Sequence, residues 1–320
     1  MQVSVLGNGR WGAFQAWYAN RIGHTVTSYG LADSPQTLQF LKTRSNGMLT
    51  FADSITLSTN LAKSLEAEVI IISVPSQSLR GLCREIAAIG TAGKQFVLCM
   101  KGIETGTGKR LSEIAGEELP AGNRVAVWLG PGHVQEFTRG VPNCMVIDAP
   151  AEADKEFLVN AFSSDLIRFY YGNDMIGNEV GAAAKNVVGI AAGMLDGFGL
   201  TSLKGPLMSR GTREVARLIK ALGGQELSAY GLCHLGDYEA TVFSPHSHNR
   251  MFGELYARGE TYDKLAEGYY TVDSMMTLSQ QTGVELPICN AVYQTLYHKM
   301  NPRQALDALF TRSLKQEFYG

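Results

Sequence analysis

Gly7-Asn8-Gly9-Arg10-Trp11-Gly12 follows the apolar run Val3 to Leu6 and opens a segment of helical periodicity. GxGxxG alone is common in turns. Placed between a strand and a helix, its glycines let the backbone approach a pyrophosphate that rests on the helix N-terminus. The runs that follow support such a fold. Val3 to Leu6, Thr25 to Tyr29, Val69 to Val74, Phe96 to Met100, Val125 to Leu129 and Met145 to Ile147 are continuous and rich in Val, Ile and Leu, as strands covered on both faces are. After about residue 177 strand signals stop. Helical periodicity runs through Arg213 to Leu222, Tyr262 to Thr282 and Asn290 to Lys299, with ends marked by Gly223-Gly224 and Asn301-Pro302. The expected architecture is an α/β Rossmann-type N-terminal domain over 1–177, doubly wound, and an all-α C-terminal domain over 178–320.

Composition narrows the function. A chain of 320 residues is long for one core, and a formal charge of −2 supplies no basic field for nucleic acid. The expected partners are a small molecule and a second copy of the chain, as a homodimer. Five scattered cysteines without a CxxC pair read as reduced thiols of a cytoplasmic protein. The N-terminus lacks a signal-peptide pattern, and no run of eighteen apolar residues occurs, which excludes membrane insertion by a spanning helix.

The second half holds an unusual segment, Ala182 to Ala192, AAAKNVVGIAA, with Lys185 and Asn186 side by side in an otherwise small, apolar helix. Buried without partners, an ammonium and an amide are costly, so the pair must reach water or something polar. Asn178, Lys185 and Asp196 fall within about 20° of one helical line, giving a buried helix a polar face. A snorkelling lysine is the structural alternative.

Three strand ends point to one crevice. Val74-Pro75-Ser76-Gln77, Lys101-Gly102-Ile103-Glu104 and Gly130-Pro131-Gly132 each close a strand at the sheet edge where open α/β folds bind ligands. At the end of the second strand, Asp33 is the only acid, and no Lys or Arg occurs from Ile22 to Leu41. An extra phosphate would find no dedicated donor there, so NAD is expected ahead of NADP, with Arg10 as the residue able to reverse that. Further on, Leu235 to Thr241 and Ser244 to Arg250 form a polar, turn-rich loop. His246 and His248 lack a third ligand in reach, so no metal is expected. Asn249 and Arg250 suit an oxyanion.

These blocks together resemble the bacterial NAD(P)-dependent glycerol-3-phosphate dehydrogenases. The likeness runs nearly end to end, through GNGRWG, VPSQ, KGIE, the GP loop, IGNEVGAAAKNVVGIAAG, SRGTREVARL, LGDYEAT, SHNR, AEGYY and ELPI, in order. The resemblance implies hydride transfer between NAD(P)H and dihydroxyacetone phosphate, giving sn-glycerol 3-phosphate for phospholipid synthesis. It implies Lys185 as proton donor and acceptor, with Lys101, Asn186, Asp237 and Thr241 around the reacting carbon. Gly130, Gly132, Ser247, His248, Asn249 and Arg250 would meet the substrate. Gly7, Gly9, Arg10, Trp11, Gly12, Leu31, Pro75, Lys101, Val134, His248, Leu265 and Glu267 would meet the cofactor. Burial and a second cation such as Lys101 would lower the pKa of Lys185. Asp237 would orient the lysine, and Thr241 would fix a hydroxyl.

Three positions depart from the family pattern. Gly132 replaces a Ser or Thr, His248 replaces the first Arg of an Arg-Asn-Arg turn, and the loop Gly199 to Gly205 is shorter by one residue. All three lie where the substrate is expected. Two alternatives therefore accompany the leading reading. One is a dehydrogenase of the same fold acting on another phosphorylated or phosphonylated hydroxy or keto compound; the other is a non-catalytic dinucleotide sensor. A sensor needs GxGxxG but not the set Lys101, Lys185, Asn186, Asp237 and Thr241.

Overall fold

The computed structural model describes residues 1–313 together with Gln316 and Glu317. The stated end of the second domain at 320 lies outside the described residues. Eight strands form one sheet in the order β3-β2-β1-β4-β5-β6-β7-β8: β1 Gln2–Leu6, β2 Thr25–Tyr29, β3 Thr56–Ser58, β4 Val69–Ile72, β5 Gln95–Leu98, β6 Arg124–Leu129, β7 Asn143–Asp148 and β8 Ile167–Tyr171. Every pairing is parallel except β6 with β7, so the sheet is mixed. The order reverses between β1 and β4, which opens a crevice at their C-terminal ends.

Two of these strands escape the sequence pattern. β3 is a three-residue edge strand without an apolar run. In β8 burial alternates, with Ile167 and Phe169 inward and Arg168, Tyr170 and Tyr171 outward, as an edge strand half-facing water requires. A search for continuous runs passes over both.

One apolar core fills each face of the sheet, one around Phe14, Tyr18, Trp128 and Phe162, the other around Ile70, Leu79, Phe96 and Leu129. The helical half packs around Val187, Val215, Met275 and Val292. Its axis is the Met175–Gly197 helix, started by Asp174, whose carboxylate accepts from Gly177 N at 3.0 Å. This helix joins both halves. Ala182 belongs to a sheet core, Asn178 Nδ2 donates to Asp148 Oδ2 at the end of β7 (2.9 Å), and buried Glu179 accepts from Ser112 N (2.9 Å) and Arg110 (2.8 Å). Gly193 lets the His248–Ala257 helix cross closely, since a Cβ there would lie 1.9 Å from Arg250 O.

The helical readings need four adjustments, the first being that Asn290 to Lys299 is realised as a helix running from Pro287 to Tyr297. Arg213 to Leu222 is the later part of a longer helix, Lys204–Ala221. The periodicity expected from Tyr262 is realised only over Glu267–Thr282, and 262–266 is irregular. Asn301-Pro302 starts a further helix, Pro302–Phe310, in which Asn301 Oδ1 accepts from Arg303 N at 2.9 Å. No helix among the described residues is long and apolar enough to cross a membrane.

Candidate active site

A cleft of about 940 Å³ runs from the C-terminal ends of β1, β2 and β4 to the middle of the Met175–Gly197 helix. Its floor is backbone. Gly7 takes φ +117°, and a Cβ there would lie 2.2 Å from Ser73 O, so only glycine lets β1 turn this close to β4. A Cβ at Gly12 would lie 2.0 Å from Gly7 O. Gly9 is the reverse, with nothing within 4 Å of its Cβ position. It sits at the start of the Arg10–Arg21 helix, where no side chain caps the first turn. Open space over unclaimed N–H groups is what a dinucleotide pyrophosphate requires.

Arg10, Trp11, Leu31, Pro75, Lys101, Val134, His248, Leu265 and Glu267 also line the cleft, as do Gly7, Asn8 and Gly9, whereas Gly12, packed against Gly7 O, does not. Glu267 reaches across from its helix to accept from Ser76 N at 3.3 Å, and burial raises its pKa. At the β2 end the lining is Tyr29, Gly30, Leu31, Ser34 and Gln36, without a cation. Asp33 does not line it. Burial lowers the pKa of Arg10, with Tyr262 opposing, and the Arg10 charge in turn helps to lower that of His248.

At the other end the five residues singled out around the reacting carbon converge. Lys185 Nζ donates to Thr241 Oγ1 (2.6 Å) and pairs with Asp237 Oδ2 (2.9 Å). Lys101 Nζ pairs with the same Asp237 oxygen (2.7 Å) and donates to Gly130 O (2.6 Å). Asn186 Nδ2 donates to Lys101 O (3.0 Å), and Thr241 Oγ1 donates to Asp237 O (2.8 Å). One carboxylate thus sits between two ammonium groups, brought from β5, the long helix and the loop before Ser244. Burial lowers Lys185 to a pKa of about 8, Asp237 opposing and Lys101 adding to the shift. The lysine neither snorkels nor stands alone.

The distal group of residues divides. Gly132, Ser247, His248 and Asn249 line the cleft. Ser247 caps the His248–Ala257 helix by accepting from Arg250 N at 3.3 Å, so that helix N-terminus faces the cleft. Gly130, although its carbonyl accepts from Lys101, is not part of the lining, and neither, against expectation, is Arg250. Its guanidinium is taken by Asp196 (2.8 Å), Glu254 (2.7 Å) and Ser244 O (3.0 Å), because Asp196 at the end of the polar line and Glu254 one turn along its own helix are nearer than the cleft. His248 Nδ1 is bonded to Tyr262 OH, and burial with the nearby Arg10 lowers its pKa to about 4, so it is neutral near pH 7. A side chain at 132 would collide with Phe137, whose ring carbon lies 2.3 Å from that Cβ position, which explains the missing hydroxyl.

Sequence reading passed over His133, Asn8 and Tyr262. His133 lines the cleft with His246, their ring centroids 6.0 Å apart. Its place directly after the glycine loop of a strand end was the available signal. Asn8 braces the nucleotide loop by accepting from Ser28 Oγ (2.6 Å) and donating to Thr37 Oγ1 (3.2 Å). Tyr262 became visible only through its bond to His248. Among the described residues no three His, Cys, Asp or Glu side chains group as a metal site.

Fold and cleft define a two-domain protein of the dinucleotide-binding dehydrogenase class, with a lysine pair facing the nucleotide loop. Comparison with known proteins gives the particular family. Residues 2–155 match the NAD-dependent glycerol-3-phosphate dehydrogenase N-terminus and residues 174–307 its C-terminus. Over 99% of both chains it is 35% identical to the glycerol-3-phosphate dehydrogenase (NAD(P)+) of Pelodictyon phaeoclathratiforme, and over 98% of both it is 37% identical to that of a Bradyrhizobium species. The crystal structure of glycerol-3-phosphate dehydrogenase from Coxiella burnetii superimposes with a TM-score of 0.90 at 27% identity, covering 97% of this chain and 99% of that one. The chain belongs to the NAD-dependent glycerol-3-phosphate dehydrogenase family.

Proposed function

We propose that the protein is an NAD(P)-dependent glycerol-3-phosphate dehydrogenase that interconverts dihydroxyacetone phosphate and sn-glycerol 3-phosphate. The observation that carries the reading is Asp237 shared by Lys101 and Lys185 at 2.7 and 2.9 Å, in a cleft that begins at an open glycine loop. Two cations on one carboxylate leave a net positive centre for an anionic substrate and for developing negative charge on oxygen.

The nicotinamide cofactor, when bound, supplies or accepts the hydride. The chain's own residues handle the rest. In reduction the Lys185 ammonium gives a proton to the substrate carbonyl oxygen; in oxidation the neutral amine takes it from the hydroxyl. A pKa near 8 keeps both forms accessible near neutral pH. Lys101 holds positive charge beside the oxygen, Asp237 fixes both ammonium groups, and Asn186 anchors the backbone of Lys101. The substrate phosphate rests against the N-terminus of the His248–Ala257 helix, near Ser247, His248 and Asn249. Arg250 supports that helix from behind.

Gly7, Gly9, Arg10, Trp11, Gly12, Leu31, Pro75, Val134, Leu265 and Glu267 form the nucleotide side, with NAD preferred because the β2 end lacks a cation. Residues 1–177 form the nucleotide domain and 178–320 the substrate and catalytic domain, which also lends Leu265 and Glu267 to the nucleotide side, in a cytoplasmic homodimer whose size light scattering checks. The functional test is NADH oxidation with dihydroxyacetone phosphate beside other phosphorylated ketones. Turnover greatest with dihydroxyacetone phosphate supports the reading. A better ketone moves the substrate, and no turnover with any makes the protein a sensor.

A further inference from the structure

Asp237 and Thr241 come from the segment 231–243, a loop with a 3-10 turn over Leu235–Asp237 and a π-helical turn over Glu239–Phe243, whose position against the Met175–Gly197 helix sets the distances at Lys185. One side chain outside the reacting set ties the two together. His234 is completely buried, and its imidazole is bonded at both nitrogens, Nδ1 to Gly181 O and Nε2 to Tyr238 OH, each at 2.8 Å. A carbonyl oxygen only accepts, so Nδ1 carries the proton and Nε2 accepts from the tyrosine hydroxyl. Gly181 lies one turn before Lys185, and its carbonyl is the helical acceptor for the Lys185 N–H. A Cβ at Gly181 would stand 3.0 Å from His234 Cβ, so the glycine gives the imidazole room. On the loop side, the backbone carbonyl of His234 accepts from Asp237 N at 3.0 Å, and Tyr238 O accepts from Thr241 N at 3.1 Å. Thr212 Oγ1 of the Lys204–Ala221 helix approaches Tyr238 OH at 3.4 Å.

We propose that His234 is a positioning residue for the Lys185–Asp237 pair: its imidazole pins the loop carrying Asp237 to the helix carrying Lys185. The role needs an uncharged ring, and burial lowers the pKa of His234 to about 4. It therefore adds no charge beside Lys185. The groups that act on Lys185 are Asp237, Lys101 from the end of β5, and Cys233. His133 after β6 and His234 itself feel its charge in turn. Without the imidazole bridge, Asp237 keeps its tie to Lys101 and moves away from Lys185. Asp237 raises the Lys185 pKa and burial lowers it, so loosening the pair lowers it further.

The proposal rests on Lys185 as the proton-transfer group, and its test includes a readout that needs no substrate. The Lys185 Nζ resonance, in protein labelled with ¹⁵N-lysine and assigned by its loss in Lys185→Met, gives the titration midpoint directly. His234→Phe is expected to lower that midpoint by at least about half a unit, moving the alkaline limb of kcat/KM for dihydroxyacetone phosphate by the same amount while NADH affinity stays unchanged. His234→Asn keeps a donor for Gly181 O and is expected to recover more than half of the shift. Tyr238→Phe removes only the hydroxyl and is expected to shift the midpoint in the same direction by less. A folded His234→Phe with a wild-type midpoint overturns the proposal. If His234→Phe does not fold, Tyr238→Phe decides, and an unmoved midpoint there overturns it equally. An inactive wild type with dihydroxyacetone phosphate would count against the functional reading, and the resonance would still decide the role of His234.

Discussion

Two ion clusters lie along one helix and differ in what they face. Midway, Lys185 and Lys101 share the single carboxylate of Asp237, which is 1% exposed. Near the C-terminal end, Lys204 and Arg250 share Asp196 at 2.6 and 2.8 Å, and Arg250 also holds Glu254. The first cluster has more cations than carboxylates and opens into the cleft. In the second, Arg258 also pairs with Glu254 at 2.6 Å, so cations outnumber carboxylates there too, but none of its members lines the cleft. Burial alone does not separate them, since Lys185 and Lys204 side chains are 8% and 5% exposed. What marks a site is positive charge left unmatched where a ligand can reach it.

The sharpest attack on this contrast is Lys185→Ala. Turnover is expected to fall by about 10² to 10⁴, the usual worth of general acid–base catalysis, while NADH binding, followed by fluorescence, stays close to wild type. Retention of more than about a tenth of the turnover removes Lys185 from proton transfer.

pH sharpens the same point. As the proposed proton donor, Lys185 must carry its proton in the reductive direction, and its pKa is lowered to about 8. The rate constant kcat/KM for dihydroxyacetone phosphate is therefore expected to fall above pH 8, by about tenfold per unit once the amine is neutral. In the oxidative direction the limb inverts, with activity lost as pH falls below that value. A profile flat from neutral to alkaline pH breaks the assignment.

The cluster outside the cleft should respond differently. Arg250→Ala leaves Asp196 and Glu254 short of a partner, and a loss of about 2 kcal/mol in unfolding free energy is expected, below the fully buried case because these groups are partly exposed. Where the variant is folded, KM for dihydroxyacetone phosphate should change by less than about threefold. A tenfold rise in KM at unchanged stability would bring Arg250 back to the substrate phosphate, as its sequence position suggested. The smallest effect concerns the cofactor: the β2 end offers Ser34 and Gln36 but no cation, so NADH should be used at least as well as NADPH. A clear preference for NADPH in kcat/KM would assign the 2′-phosphate to Arg10.

Much of this was legible in the chain because its signals are local. Buried parallel strands read as continuous apolar runs, and β4, β5, β6 and β7 largely appear that way, while β1 and β2, QVSVL and TVTSY, interleave polar residues with Val, Leu and Tyr. β3 and β8 escape that reading, since an edge strand needs neither a long run nor two covered faces. Lys185 stood out because a charge in a helix of small apolar residues has few explanations. Arg250 was misleading for the opposite reason: a guanidinium in a polar loop is ordinary, and its partners Asp196 and Glu254 lie 54 and 4 residues away.

The sequence by itself determined the doubly wound sheet, the glycine-rich loop after its first strand and the buried lysine that needs a polar partner, because periodicity, glycine placement and residue chemistry are properties of short segments. Tertiary structure alone decided which ions are shared. Asp237 lies 136 residues from Lys101 and meets it only after the loop folds over the sheet edge. It also decided that His234 grips Gly181, 53 residues earlier. A hydrogen bond or ion pair depends on ångström distances between distant segments, and those are fixed only when the cores around them pack.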